Sequence, residues 1–465
     1  MSQPFLYPLF FYDKMQQKVK KCDIILSYKN SIKENEMSNS IKFIDLFAGI
    51  GGIRKGFENA CKELGLKTEC VLTSEIKEHA IKILKQNHPD ETIEGDITKI
   101  DTKSIKDFDF LLAGFPCQPF SSAGKRLGFS DTRGTMFFEV ERILRDKKPF
   151  GFVLENVEGL VNHDKEKPSD KIGRTLLTII NSLEALGYKT DWKVLNAKYF
   201  GVPQERKRIY IIGTKKEKPI FNEQEPVIKK LSSIIEHGLQ TQTSPFIELL
   251  LSHYDLSELN GKSIKDKRGG KDNIHSWDID LKGKTTKTEK EFLNILLKER
   301  RKKKWAEEFG IDWMDGMPLT IEQIKTFWKK PNLEKMLEKL VKQKYLVMEH
   351  PKRLVNNHRV EDSDLPIGYN IVAGKMSFEI NKILSPDSFA PTLVAMDAEH
   401  LFVVDNDGLR NLSLKEGLRL FGYPDDYKFK IDKAEGFDLL GNTVVVPVIT
   451  YVSKIVLEIY RKYQK

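Results

Sequence analysis

The chain has 465 residues, enough for two or three domains and a large core. Hydrophobic residues make up 40% and charged residues 31%, which reads as a soluble, globular chain rather than a disordered one. Lys and Arg number 76 against 67 Asp and Glu, a net of +9 that suits a polyanionic partner without specifying one. The four cysteines, Cys22, Cys61, Cys70 and Cys117, form no CxxC pair. That argues against a zinc ribbon or a disulfide framework and for a reducing, cytoplasmic setting. No apolar run reaches the roughly 18 residues that cross a bilayer, so no membrane association is expected. The opening FLYPLFFY is interrupted by Pro8 and followed by Asp13, a poor signal peptide.

Residues 1–36 read as an N-terminal extension. They are a loosely attached segment, the product of an upstream start codon, or a helix docked on the body. Met37 opens MSNSIKFIDLFAG, a compact start just before a strand. Ile41–Leu46 is a short apolar run, predicted as a buried strand. It enters the glycine-rich turn FAGIGG. A helix follows, with Ile53, Phe57, Ala60, Cys61 and Leu64 on one face. Glu69–Thr73 reads as a second strand, and about Lys77 to Gln86 as a helix. Phe108–Ala113 and Phe150–Leu154 read as further strands. Leu176–Leu186 reads as a helix, then Trp192–Leu195 and Arg208–Gly213 as strands. Strands alternating with helices predict a parallel α/β sheet.

The alternation stops after Thr214, and residues 215–390 are polar and patchy. Between Gly261 and Gly310 there are fifteen Lys/Arg against nine Asp/Glu. The run KERRKKKW (298–305) holds six of those cations. A solvated helix face is the plain reading. With Trp305 beside it, contact with phosphates is the reading favoured here. Ile321–Tyr345 looks helical, HLFVVD (400–405) looks like a strand, and 439–462 reads as a turn followed by a helix.

Four stretches carry chemistry. The first is Asp45–Gly52, a strand–glycine turn–helix where a ligand can approach the backbone and free N–H groups. Its spacing is neither the dinucleotide fingerprint nor a P-loop. Glu75, at the end of the next strand, can hold ribose hydroxyls, and Asp96 of Gly95-Asp96-Ile97 can accept from an adenine amine. Each alone reads equally well as a surface acid; together they suggest an adenosine-type cofactor. The second is AGFPCQPFS (113–121). Pro116 and Pro119 exclude regular structure around Cys117, which places a thiol on a shaped loop. A reactive thiol needs a field that favours its anion. The third is FVLENV (152–157), with Glu155 at the carboxyl end of an apolar strand, where burial raises a carboxyl pKa and suits an acid donor. The fourth is GVPQERKRIYIIG (201–213), where Arg206 and Arg208 share strand parity and face one side.

These strings resemble one family, the cytosine-5 DNA methyltransferases of the bacterial restriction–modification type. FIDLFAGIGG, GFPCQPFS with SDTRGTMFFEV, LENV, QERKR and LLGNTVVVPVI stand in the family's order over about Ile41–Thr214 and Leu412–Ile459. The resemblance implies an α/β fold: a class I S-adenosylmethionine-dependent, Rossmann-like catalytic domain with a separate small target-recognition domain. It divides the chain into a catalytic and cofactor-binding domain (37–214), a target recognition region (215–411) and a C-terminal segment (412–465) that returns to the catalytic domain. It also implies S-adenosyl-L-methionine as cofactor. Phe47 would stack on the adenine, with Gly49 and Gly51 beside the methionine portion. Glu75 would hold the ribose and Asp96 the amine, with Ile97 against the ring. Ala48, Gly52, Ile76 and Pro116 would line the same pocket, and Asn442 and Val444 would close it. Cys117 would attack C6 of a cytosine, Glu155 would bond N3 and the exocyclic amine, and Arg208 would reach O2. Arg206 would position the loop or a phosphate. The glycine-bearing loop Gln118–Thr135 is expected to move and close over a flipped base. The implied partner is double-stranded DNA, bound by a monomer, with a cognate restriction endonuclease encoded nearby but not physically required. An RNA cytosine-5 methyltransferase of the same fold and an inactive DNA-binding relic are the alternatives. The long region after Thr214 speaks against the first, and the presence of Cys117 and Glu155 against the second.

Overall fold

The computed structural model describes residues 40–116, 136–167, 169–313, 316–355, 358–372, 378–394 and 397–464. The extension 1–36, Cys117 and the loop Gln118–Thr135 lie outside the described residues.

A seven-stranded sheet organises the first half of the chain. Its strands are β1 (Ser40–Leu46), β2 (Lys67–Ser74), β3 (Ile93–Glu94), β4 (Phe110–Ala113), β5 (Gly151–Val157), β6 (Lys189–Asn196) and β7 (Lys207–Thr214). The order across the sheet is β3-β2-β1-β4-β5-β7-β6. Strands β1 to β5 are parallel, as expected. The last two are not: β7 runs antiparallel to both β5 and β6. The cause is visible in the connection. Only a short loop with one 3-10 turn (Ala197–Tyr199) joins β6 to β7, and a parallel return would need a longer crossover.

Period-2 alternation sends the two faces of each strand into different cores. Ile41 and Phe43 of β1 join one cluster and Ile44 and Leu46 the other. Four helices alternate with the strands: α1 (Gly52–Glu63), α2 (Glu78–Asn87), α3 (Met136–Lys147) and α4 (Arg174–Ala185). Phe57 and Cys61 of α1 and Ile83 of α2 bury against the first face. Phe137 and Ile143 of α3 and Leu176 and Ile179 of α4 bury against the second. The sheet is therefore covered by helices on both sides, a doubly wound α/β fold. Strand order reverses between β1 and β4, and the carboxyl ends of strands at such a point form a crevice that takes ligands.

The C-terminal helix Val446–Tyr463 packs on the first face as well, with Val448, Ile449, Val452 and Val456 buried there. Its contact with α1 is close: a Cβ at Gly56 would stand 2.4 Å from Ile449 Cβ. Leu231, Ile234, Leu384, Ala390 and Leu393 belong to the same core. The chain thus stays on the catalytic body past Thr214 and rejoins it before Leu412.

Between these crossings stand two further cores. One gathers Ile247, Leu250, Ile264, Ile383 and Leu409 around a small sheet. The other gathers Trp277, Phe292, Leu296, Trp305, Leu337 and Tyr345. The second core changes the reading of the basic run. Trp305 is 3% exposed and its indole donates to the Glu299 carbonyl. Arg300 is 2% exposed, and its guanidinium donates to Asn370 Oδ1 at 2.6 Å. Neither is open to a ligand; Lys298, Lys302, Lys303 and Lys304 are the exposed cations of the run. The expected helix 321–345 is two, Ile321–Phe327 and Leu333–Lys342. Pro331 lies between them and cannot continue the first.

Candidate active site

The turn after β1 is built from left-handed residues: Phe47 has φ 55°, Gly49 56° and Gly51 74°. Gly51 caps α1 and donates its N–H to the Ala48 carbonyl at 2.8 Å, while Ala48 N–H reaches the Ser74 carbonyl. The glycines serve different ends. A Cβ on Gly49 would meet nothing within 4 Å, so its side is open. A Cβ on Gly52 would stand 2.6 Å from Tyr423 Oη, 2.8 Å from Val444 Cγ2 and 2.9 Å from Thr443 Oγ1. Gly52 is therefore a packing glycine that lets the C-terminal segment touch the turn, rather than one that admits a ligand.

Glu75 ties the turn to the next strand. Its Oε2 accepts the Gly49 N–H at 2.7 Å, and its Oε1 accepts the N–H groups of Ile76 and Lys77, both at 2.8 Å. Three of the roughly four acceptor positions of a carboxylate are thereby taken, leaving one for a hydroxyl. Ile76 is 72% exposed, an apolar platform at the rim. Asp96 caps a short 3-10 turn, its Oδ1 accepting from Thr98 N and Thr98 Oγ1. Those bonds hold its carboxyl below the usual range. Ile97, expected against the ring, is 2% exposed and packs on the second face of the large sheet with Ile44 and Leu46, so its side chain offers a ligand almost no surface. Ala48 is buried, and Phe47 is half-buried. Asn442 is exposed, its amide donating to the Asp438 carbonyl at 2.8 Å. Val444 is buried beside Gly52.

Asp45 precedes this turn and was not singled out in the sequence as a titrating group. It is fully buried, with both carboxyl oxygens lacking a hydrogen-bond partner. Burial pushes its carboxyl up to about 8, opposed by the Arg54 guanidinium.

The second half of the site lies at the ends of β4, β5 and β7. Glu155, the fifth residue of β5, is 8% exposed. Arg208 Nε lies 3.2 Å from Glu155 Oε1. Burial raises the Glu155 carboxyl above its ordinary value, and Arg208 and then Arg206 pull it back. Gly114 lies beside it: a Cβ there would stand at ordinary contact distance, 3.7 Å, from Glu155 Oε2. Pro116 is half-buried and directly precedes Cys117. Asn156, unremarked in the LENV string, fixes the chain at this point: its amide donates to the Phe115 carbonyl at 3.2 Å.

Arg206 and Arg208 part company despite their shared parity. Arg208 turns to Glu155. Arg206 is 3% exposed and donates to the carbonyls of Leu393 (3.1 Å), Gly441 (3.2 Å) and Thr443 (2.8 Å), with its guanidinium 5.2 Å from the Phe421 ring centroid. The phosphate contact expected of it is thus replaced by a structural pin. Gln204 acts beside it, donating to the Leu420 carbonyl and accepting from Leu393 N. Together they clamp the C-terminal segment so that Asn442–Val444 meets the glycine turn.

A crevice at a strand-order reversal thus combines an open glycine turn, two carboxylates at successive strand ends, and a buried glutamate paired with an arginine. Comparison with known proteins agrees with this arrangement. The family model described as C-5 cytosine-specific DNA methylase matches residues 41–458. The Type II methyltransferase M.NlaIV of Neisseria lactamica is 65% identical over 414 residues, covering 89% of this chain and 98% of that protein. M.NgoBV of Neisseria gonorrhoeae is 64% identical over the same shares. M.BanI of Aneurinibacillus aneurinilyticus is 43% identical over 435 residues, covering 88% and 94%. The chain belongs to the C-5 cytosine-specific DNA methylases, and its reaction is methylation of cytosine in DNA at C5.

Proposed function

We propose that the chain methylates a cytosine flipped out of double-stranded DNA, with S-adenosyl-L-methionine as donor, and that it protects host DNA as the modification half of a Type II restriction–modification system. The observation that carries the chemical part is the pair of buried Glu155 and half-buried Arg208 at the end of β5, the strand beside β4, from which the chain enters the Cys117 loop. The Type II relatives support the biological part.

The residues around the glycine turn fit the adenosine of the donor. Gly49 is open on its Cβ side, Glu75 keeps one acceptor position, Asp96 Oδ2 faces Lys99 Nζ at 3.9 Å and can still accept from an amine, and Ile76 presents an exposed apolar surface. When bound, S-adenosylmethionine supplies an electrophilic methyl group. The chain's residues do the rest. C5 of cytosine is a weak nucleophile inside an aromatic ring. Attack of the Cys117 thiolate on C6 makes C5 enamine-like. Glu155, whose carboxyl burial pushes toward the neutral form, donates at N3. Arg208 meets the charge that develops at O2. C5 then takes the methyl group; its proton passes to water, the thiolate leaves C6, and the N3 proton returns to the Glu155 carboxylate, which restores the ring. A stacked base exposes neither face of C6, so the cytosine leaves the helix.

The division into a catalytic part (37–214), a recognition region (215–411) and a returning segment (412–465) is part of the same proposal. Separate hydrophobic cores between residues 247 and 409 support it. Incubating the purified chain with radiolabelled S-adenosylmethionine and duplex DNA tests the chemistry. Label should enter cytosine with the parental chain and be lost in Cys117→Ser, which should still bind DNA. Turnover by Cys117→Ser would overturn the nucleophile assignment.

A further inference from the structure

Residues Lys352–Val355 and His358–Glu361 form an antiparallel two-stranded ribbon that joins no other described strand. Isolated ribbons of this kind are marginal in water. None of its described residues is buried. It also exposes apolar side chains: Leu354 at 45%, Val355 and Val360 at 50% each. Pairing sets Val355 opposite His358 and Val360 opposite Arg353, with Leu354 opposite Arg359. Both faces therefore mix apolar and basic groups. A solvated edge has no use for the first, and a core strand has no use for the second.

The ribbon continues into a cationic cleft. Arg359 donates to the carbonyls of Asp312 (3.3 Å) and Trp313 (2.9 Å). Trp313, 40% exposed, donates its indole N–H to the Arg301 carbonyl at 3.1 Å. Arg301 in turn lines a cleft of about 780 Å³ together with Lys271 and Lys298. At the ribbon's base Arg353 pairs with Asp362 and Lys352 with Glu349 and Glu361, and in the cleft Asp278 stands against the three cations Lys271, Lys298 and Arg301. Among the described residues no carboxylate pairs with Lys271, Lys298 or Arg359.

We propose that the ribbon, Trp313 and this cleft form one continuous surface that grips double-stranded DNA, with the ribbon in the major groove as a specificity-determining element and Lys271 and Lys298 on flanking phosphates. The major groove is about 12 Å wide, admits a two-stranded ribbon, and offers thymine methyl groups to apolar side chains. Lysines outside the groove position the duplex without reading it. The unpaired cations favour a polyanion over a second copy of this basic chain. The proposal rests on duplex DNA being the substrate and adds which side chains read it.

The test uses the full chain and a duplex that carries its own methylation site, found by sequencing 5-methylcytosine. Two variants are compared with the parent: Leu354→Ser/Val360→Ser and Lys271→Ala/Lys298→Ala. All four positions are exposed, so neither change should disturb folding. The ribbon variant should raise KM for DNA by about tenfold or more, leave kcat within about twofold, and mark sequences the parent does not. The lysine variant should weaken binding at all sequences and reduce the slope of log affinity against log salt by about two. A ribbon variant with the parental KM and the parental sites would overturn the proposal. So would an altered sedimentation coefficient with KM unchanged, which would assign the ribbon to self-association. If the parent itself left no 5-methylcytosine, the reading of the reaction would fall first and this one with it.

Discussion

Arg208 Nε stands 3.2 Å from Glu155 Oε1, and the two side chains are 16% and 10% exposed. The pair balances opposed effects. Burial favours the neutral carboxyl, and the guanidinium favours the anion. A carboxyl poised in this way can hold a proton and release it into a ring that is gaining negative charge. Glu155→Gln keeps the shape and removes the transferable proton. Methyl transfer should slow by about 10²–10⁴-fold, with donor affinity almost unchanged. Single-turnover kinetics and a donor titration separate the two; a large loss of donor affinity would mean that Glu155 serves the cofactor instead.

Gly52 is predicted to be intolerant for a steric reason. A methyl group there meets Tyr423, Val444 and Thr443, all within 2.9 Å of the ideal Cβ position. Gly52→Ala should cost about 1–3 kcal/mol of stability by overpacking, and should weaken donor binding because Val444 must move. Urea unfolding with and without donor reads both effects. Full stability in Gly52→Ala would count against the close approach of the C-terminal segment.

Arg206 holds three main-chain carbonyls of the returning chain. Arg206→Ala leaves them buried without this donor, at about 1 kcal/mol or more apiece. The expected result is a destabilised chain that loses donor and DNA binding together. Added salt should not mimic the defect, because no phosphate is involved. A variant of parental stability whose DNA affinity alone declined would restore the phosphate role.

Asp45 should make stability depend on pH. Its folded-state pKa of about 8 exceeds the unfolded value of about 3.9. Between the two, the folded chain binds the proton more tightly, so stability falls as pH rises through this window. The slope approaches about 1.4 kcal/mol per pH unit and levels off above about 8. Asp45→Asn removes this contribution. Its stability relative to the parent should therefore improve steadily from about pH 5 to about pH 8. Parallel profiles would show that Asp45 is already ionised or solvated.

Much of this was legible in the residues. Short apolar runs located β1, β4 and β5, because buried parallel strands leave a local signature. Glu155 and Arg208 could be singled out from their places at strand ends. Other features depended on partners far along the chain. Nothing near Arg206 shows that it meets Leu393 and Thr443, 187 and 237 residues away. Trp305 beside four lysines and two arginines reads as a nucleic-acid contact until the core around Phe292 and Leu337 is seen to enclose it. Gly52 looks like a ligand glycine until the C-terminal segment is folded over it. The antiparallel β6–β7 pair was legible in principle from the missing crossover helix.

The most direct test of the central claim is genomic. The chain, and separately its Cys117→Ser variant, would be expressed in a host without cytosine methylation, and the host DNA sequenced for 5-methylcytosine. The account predicts marks at one short fixed sequence with the parental chain and none with the variant. Unmarked DNA from the parental chain, or equal marks from both, would contradict it.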